Sequence, residues 1–362
     1  MRKKEGLYIF SISCILLCLL LLGSCKNHIS YSHYCCGPQA VSKQLANLFS
    51  TLKKQESPES RFVINLEIYR ILSELKENLR LNAFLLDYVN NNPTDPFNSY
   101  YLNLVATYFK NRKMYHMSEV YYKRIMRNHP AITIKDEPLQ ISALEGLTRF
   151  ATTPIQRIDS ANILLNQYGN KIDKAQIYHI QAQSYEQLGM YGNAINAWKN
   201  FLDSPYSGMQ GEENIRANAK SFIRYYEYPN KDWAYSNLDT LLDTIQYAII
   251  NRNNARIKAS MSKVNFFTLS WAQDSDEADR DFTSSLGTYM RRQISFEQRH
   301  KISPSEKEFY WETNNWSYHI STWFLYFRRI DFPADPSIHG KWEWAGIYFG
   351  KKPFNNPIDI KP

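Results

Sequence analysis

The chain has 362 residues, enough for two domains, with 43 Lys and Arg against 35 Asp and Glu and a formal charge of +8. That excess is mild for the length and does not require a nucleic acid partner. Five cysteines, two of them within the first 18 residues and two adjacent, exclude a long-range disulfide framework.

Arg2, Lys3 and Lys4 form a basic start, and an apolar run follows from Leu7 to Leu22. A basic flank, an apolar run and small residues before a cut are the parts of an export signal. The run is short for a spanning helix, which needs about 20 apolar residues. Leu22-Gly23-Ser24-Cys25 closes it and resembles the lipobox of bacterial lipoproteins. That resemblance implies cleavage after residue 24, a lipid such as palmitate on Cys25, and attachment to the cell membrane or outer membrane, facing the periplasm or the cell surface. Removing 24 residues takes away three basic residues and one acid, so the formal charge falls from +8 to +6. No later segment reads as transmembrane.

Residues 25–58 read as a tether plus a short helix around Val41–Lys54, and Ser57-Pro58 marks a boundary. The tether contains His28, His33, Cys35 and Cys36. Their spacing fits no standard zinc pattern, so no metal site is assigned.

Residues 59–230 read as helices. Val63, Leu66, Tyr69, Leu72 and then Phe84, Leu85, Tyr88 and Val89 recur at helical spacing until Asn92-Pro93 stops the run. From Ala175 to Pro205, Ala182, Tyr185, Leu188, Gly189, Tyr191, Ala194 and Trp198 stand in an ordered series of small and aromatic positions. From Ser99 to Pro130, Ala106, Phe109, Tyr115, Ser118 and Tyr122 repeat it, with Lys113 in the place of the turn glycine. Two more divergent hairpins are expected at about 60–93 and 138–170. Pro93 to Pro130 is 37 residues and Ala106 to Ala182 is 76, against a period of about 34 for this kind of repeat. The series resembles the tetratricopeptide repeat, in which each helical hairpin stacks on the next because none buries its apolar face alone.

After Pro229 the texture changes, and residues 231–362 read as a second domain. A helix is expected over Tyr235–Ile250 and another over Phe282–Ile294. Strands are expected over Val264–Trp271, Phe309–Trp311, Ser317–Arg328 and Lys341–Phe349. The fold class is therefore mainly α: a tetratricopeptide-like α-hairpin solenoid followed by a smaller, aromatic-rich α+β domain.

Catalytic patterns are scarce. Gly-rich phosphate loops, HExxH and GxSxG are missing, and no cofactor is assigned. Ser50–Lys53 and Ser260–Lys263 fit Ser-x-x-Lys without its companion motifs. Asp274, Asp276, Asp279 and Asp281 lack the glycine of a calcium loop and suit a helix entry. Trp311, Trp316, Trp323, Trp342 and Trp344 suit a sheet core or, alternatively, a sugar-stacking platform. Trp342 and Trp344 would share one strand face.

In the tetratricopeptide family, first-helix positions that avoid stacking contacts point into a partner-binding groove. Carried across, they fall on Tyr100, Asn103, Thr107 and Lys110 in one copy and on Gln176, His179, Gln183 and Glu186 in the other. The expectation is a non-enzymatic, membrane-anchored scaffold that binds a protein in the bacterial cell envelope. The alternative is a cell-wall, glycan or small-ligand binder working through the aromatic C-terminal domain.

Overall fold

A computed structural model describes residues 31–128, 132–134, 137–270, 293–300, 303, 305–317 and 320–350. The export signal, Cys25, His28, the aspartates at 274–281, Trp271 and the expected helix 282–294 up to residue 292 lie outside the described residues. The chain divides into two compact units, Met1–Tyr168 and Gly169–Pro362. Among the described residues, no helix is long and apolar enough to cross a membrane.

The first unit opens with a 3-10 turn, Tyr31–Tyr34, and a helix α1, Gln39–Lys54. Helices α2 (Pro58–Glu74), α3 (Asn78–Asn91), α4 (Asn98–Asn111) and α5 (Tyr115–Asn128) follow. A two-residue ladder of β1 (Thr133–Ile134) with β2 (Glu137–Pro138) leads to α6 (Leu139–Phe150) and α7 (Pro154–Tyr168). Ser57 starts α2 by accepting the Ser60 N–H, and Pro58 stands at the first helical position, where its missing N–H costs nothing.

The stretch read as a tether is docked from residue 31 onward. The Tyr34 ring is buried and its hydroxyl donates to Asp87, while Tyr31 stacks on Phe49 at 4.7 Å. Aromatic burial holds the segment down against its chain entropy. Cys35 and Cys36 are free thiols packed against this core. Burial pushes both thiols up, and Glu77 pushes Cys36 further.

In the second unit, α8 (Lys174–Gln187) and α9 (Tyr191–Asp203) form the clearest hairpin, and α10 (Glu212–Glu227) follows. Then come α11 (Leu238–Ile250) and the short α12 (Asn254–Ser260). Strands β3 (Phe267–Ser270), β4 (Ser295–Phe296), β5 (Glu308–Asn314), β6 (Trp323–Arg329) and β7 (Trp342–Phe349) build one sheet in the order β3-β7-β6-β5-β4. Only β3 runs parallel to its neighbour, β7. The strand expected from Val264 begins at Phe267 because Asn265 takes a left-handed φ of 58°. The strand expected from Ser317 begins at Trp323; the Ser317 hydroxyl instead accepts the Ile320 N–H.

One turn recurs in both units. At Gly189 (φ 68°) the Gly189 N–H donates to Glu186 O and the Met190 N–H to Tyr185 O, each at 2.9 Å. At Lys113 (φ 60°) the equivalent bonds run from Lys113 N to Lys110 O and from Met114 N to Phe109 O, again at 2.9 Å. Lys76 (φ 59°) and Arg252 (φ 53°) close α2–α3 and α11–α12 in the same way. This is the Schellman helix end, which satisfies two orphan carbonyls and needs one left-handed residue. Glycine takes that conformation freely; a lysine or arginine does so at a cost of about 1 kcal/mol. The consecutive packed hairpins are compatible with a tetratricopeptide-like solenoid.

Small residues set how close the helices come. Ala106, Ser118, Ala182 and Ala194 are fully buried, and the Ser118 hydroxyl donates to Ala106 O across α4–α5. A Cβ on Gly146 would sit 2.2 Å from the Tyr122 ring, so α6 meets α5 only because position 146 has no side chain. In the second unit α11 and α12 cover one face of the sheet, with Leu241, Leu242, Ile245 and Ile249 against Trp311, Trp323, Leu325, Trp342 and Trp344. Trp342 and Trp344 do share a face, and it is the core face.

Candidate functional site

The first-helix positions fall on α4 and α8, in separate units. On α4 they form a seam between neighbouring first helices. Tyr100 meets the Phe62 ring of α2 edge-on at 5.3 Å, and Asn103 Oδ1 accepts the Ser142 hydroxyl of α6 at 3.2 Å. Thr107 is hydrogen-bonded to Tyr122 of α5. Lys110 is partly exposed one turn further on.

On α8 the four positions split. Gln183 is exposed, and Gln176 lies in the first turn, where its backbone N–H is capped by Asp173. His179 and Glu186, two turns apart, both meet Trp198 of α9. The His179 ring lies 5.5 Å from Trp198, and the indole N–H donates to Glu186. Burial holds the His179 imidazole below its ordinary value and raises the Glu186 carboxyl above its own, although the indole bond opposes the latter. Both side chains are therefore biased toward neutrality, which suits a half-buried seam.

The second unit adds a cleft of about 440 Å³ at the N-terminus of α11. Asn237 caps that helix by accepting the Thr240 N–H at 3.2 Å. Arg329 lies over the Trp342 ring at 4.6 Å and donates to Gly340 O at 2.9 Å and Glu306 O at 3.3 Å. Arg299 lies on Trp311 at 4.4 Å and pairs with Asp243 at 2.6 Å. His300, Ser236 and Ser303 complete a polar wall, with Asp239 as its one acid. Guanidinium groups braced on indoles beside a helix N-terminus suit a small anion, and Asp239 limits how much negative charge the cleft accepts. Periodicity and motifs give no sign of this site, because its parts come from four distant stretches of the chain.

The buried carboxylates serve the fold. Asp95 accepts the Tyr88 hydroxyl at 2.6 Å and the Phe97 N–H at 2.9 Å. Glu119 accepts the Thr152 hydroxyl and N–H and pairs with Lys123; these bonds outweigh burial and hold it below the usual carboxylate range. Glu212 binds Arg216 and the Ser207 and Met209 N–H groups, fixing the 204–211 loop. Glu343 is fully buried and accepts from Arg328 at 2.8 Å, Tyr225 at 2.7 Å and Trp233 at 3.2 Å, joining α10 to the sheet. Among the described residues, no group of three or more His, Cys, Asp and Glu is placed to hold a metal ion.

No protein-family model matches the chain, and neither the curated proteins nor the solved structures contain a match.

Proposed function

We propose that this chain is a lipid-anchored, non-enzymatic scaffold of the bacterial cell envelope that holds a protein partner on the first-helix faces of tetratricopeptide-like hairpins. The observation that carries this reading is the repeated hairpin. The same turn, at intervals of 37 and 76 residues, closes α2–α3, α4–α5 and α8–α9. Stacked hairpins of this kind present extended polar surfaces. The four acids buried among the described residues support it, since each is consumed by fixing a turn or joining two elements. Attachment through Cys25 rests on the Leu22–Cys25 motif.

The test is site-specific photo-crosslinking in intact cells, with the crosslinker at Gln183 on α8 and, separately, at Asn196 on the exposed side of α9. The expected result is a discrete adduct at Gln183 and none at Asn196. Equal labelling at both, or none at either, would overturn the groove reading.

A second reading is favoured by the cleft beside Asn237: binding of a small anionic ligand by Arg329 and Arg299. The glycan platform loses support, because the five tryptophans expected to stack on sugars are buried in the core.

A further inference from the structure

The docked turn at residues 31–34 sets where the preceding segment joins the first unit. If Cys25 carries the lipid, as proposed above, only residues 26–30 separate it from Tyr31. Six residue steps span at most about 22 Å. A unit of this size is roughly 35 Å across. A tether shorter than the body keeps its point of attachment turned toward the bilayer.

Several exposed side chains around that point are basic. The Arg80 guanidinium donates to His33 O, so α3 borders the turn directly. The Lys53 ammonium stands 5.2 Å over the Tyr31 ring. Gly37 packs on Leu75, which brings the Lys76 turn alongside. Between Lys76 and Arg80, Leu79 projects at 77% exposure, the most exposed large apolar side chain among the described residues. Lys76 and Arg80, on either side of Leu79 in the chain, and Lys53 and Lys54, at the end of α1, are all exposed. Glu77 pairs with Arg80 at 3.1 Å and Asp87 is taken by Tyr34, so the acids nearby offset part of this charge.

An exposed leucine between two basic residues, with a third beside the same docked turn, matches a bilayer interface, with the apolar tip below the headgroups and the cations among them. We infer that the surface formed by Lys53, Lys76, Leu79 and Arg80 rests on anionic lipid headgroups when the chain is anchored through Cys25. This surface orients the hairpins of the first unit relative to the membrane; the lipid alone would only attach them.

The experiment uses the full lipidated protein carrying Cys35→Ser and Cys36→Ser, with an environment-sensitive fluorophore on Leu79→Cys. The protein is reconstituted in vesicles of phosphatidylethanolamine and phosphatidylglycerol that contain headgroup-nitroxide lipid. A parallel sample carries the fluorophore on Ile155→Cys, at the exposed start of α7. The expected result is blue-shifted, strongly quenched emission at position 79 and water-like, weakly quenched emission at 155. Adding Lys53→Glu and Lys76→Glu is expected to release the quenching at 79 while the protein stays with the vesicles. Equal quenching at 79 and 155 in vesicle-bound protein would overturn the proposal and leave the anchoring reading intact. Protein with an intact Cys25 that stays in the supernatant would overturn the anchoring reading, and the proposal with it.

Discussion

Two regions of this molecule hold their shape by opposite means. In the hairpins the bonds that matter are local: Met114 N–H reaches Phe109 O, and Met190 N–H reaches Tyr185 O, each within five residues. In the sheet they are distant: Phe267 pairs with Gly346, and Tyr225 with Glu343, across 79 and 118 residues. Local closure lets a hairpin be copied and varied at its surface. Distant closure welds α10, α11 and the strands into one piece around a fully buried acid. The difference suits a division of labour in which the hairpins present changeable faces and the sheet keeps a fixed frame.

The strongest way to break this contrast is at Glu343. Glu343→Ala leaves Arg328 without its carboxylate and removes the acceptor of Tyr225 and Trp233. Losing one partner of such a pair is expected to destabilise by about 3 kcal/mol. All eight tryptophans lie beyond residue 169, so the midpoint of a denaturant titration followed by tryptophan fluorescence reads this unit. Next comes Gly146→Val, which drives a side chain into the Tyr122 ring and is expected to cost about 2–3 kcal/mol. Far-UV circular dichroism is the readout there, because the first unit has no tryptophan.

Smaller changes sharpen the comparison within the hairpins. Lys113→Gly relieves a left-handed lysine and is expected to stabilise α4–α5 by about 0.5–1 kcal/mol, while Gly189→Ala is expected to destabilise α8–α9 by about 1 kcal/mol. Opposite signs in the two melting shifts would show that the turns are equivalent.

The smallest effect concerns pH. Burial depresses the His179 pKa, so the unfolded chain takes up that proton first, and stability is expected to fall as pH drops below about 6.5. His179→Gln should flatten that limb. Glu186 is raised by burial, so its favourable contribution is present at low pH and lost as pH rises through its folded value. Glu186→Gln is therefore expected to stabilise the protein at pH 8 and leave it nearly unchanged at pH 4. Chemical denaturation across that range checks both.

The helical region was legible because its punctuation is chemical. Pro58 opens α2, α3 ends two residues before Pro93, and Ala182 and Ala194 mark a close helix pair. Lys76 and Arg252 hid their turns, since nothing in a lysine or an arginine announces a left-handed backbone. The resemblance to tetratricopeptide repeats implied one groove face for His179 and Glu186 but did not reveal that Trp198 reaches across to both. The docking of Tyr31 and Tyr34 depends on Phe49 and Asp87, which no local pattern connects to them. The cleft was illegible for the same reason: Asn237, Arg299 and Arg329 meet only through the sheet's non-local pairing.

The measurement that bears most directly on a binding scaffold is amide hydrogen exchange of the full protein, with and without the protein captured by the Gln183 crosslinker. Slowed exchange is expected in α8, with β5, β6 and β7 unchanged. Protection confined to the sheet and to the residues around Asn237 and Arg329 would contradict it and move the working surface to the cleft.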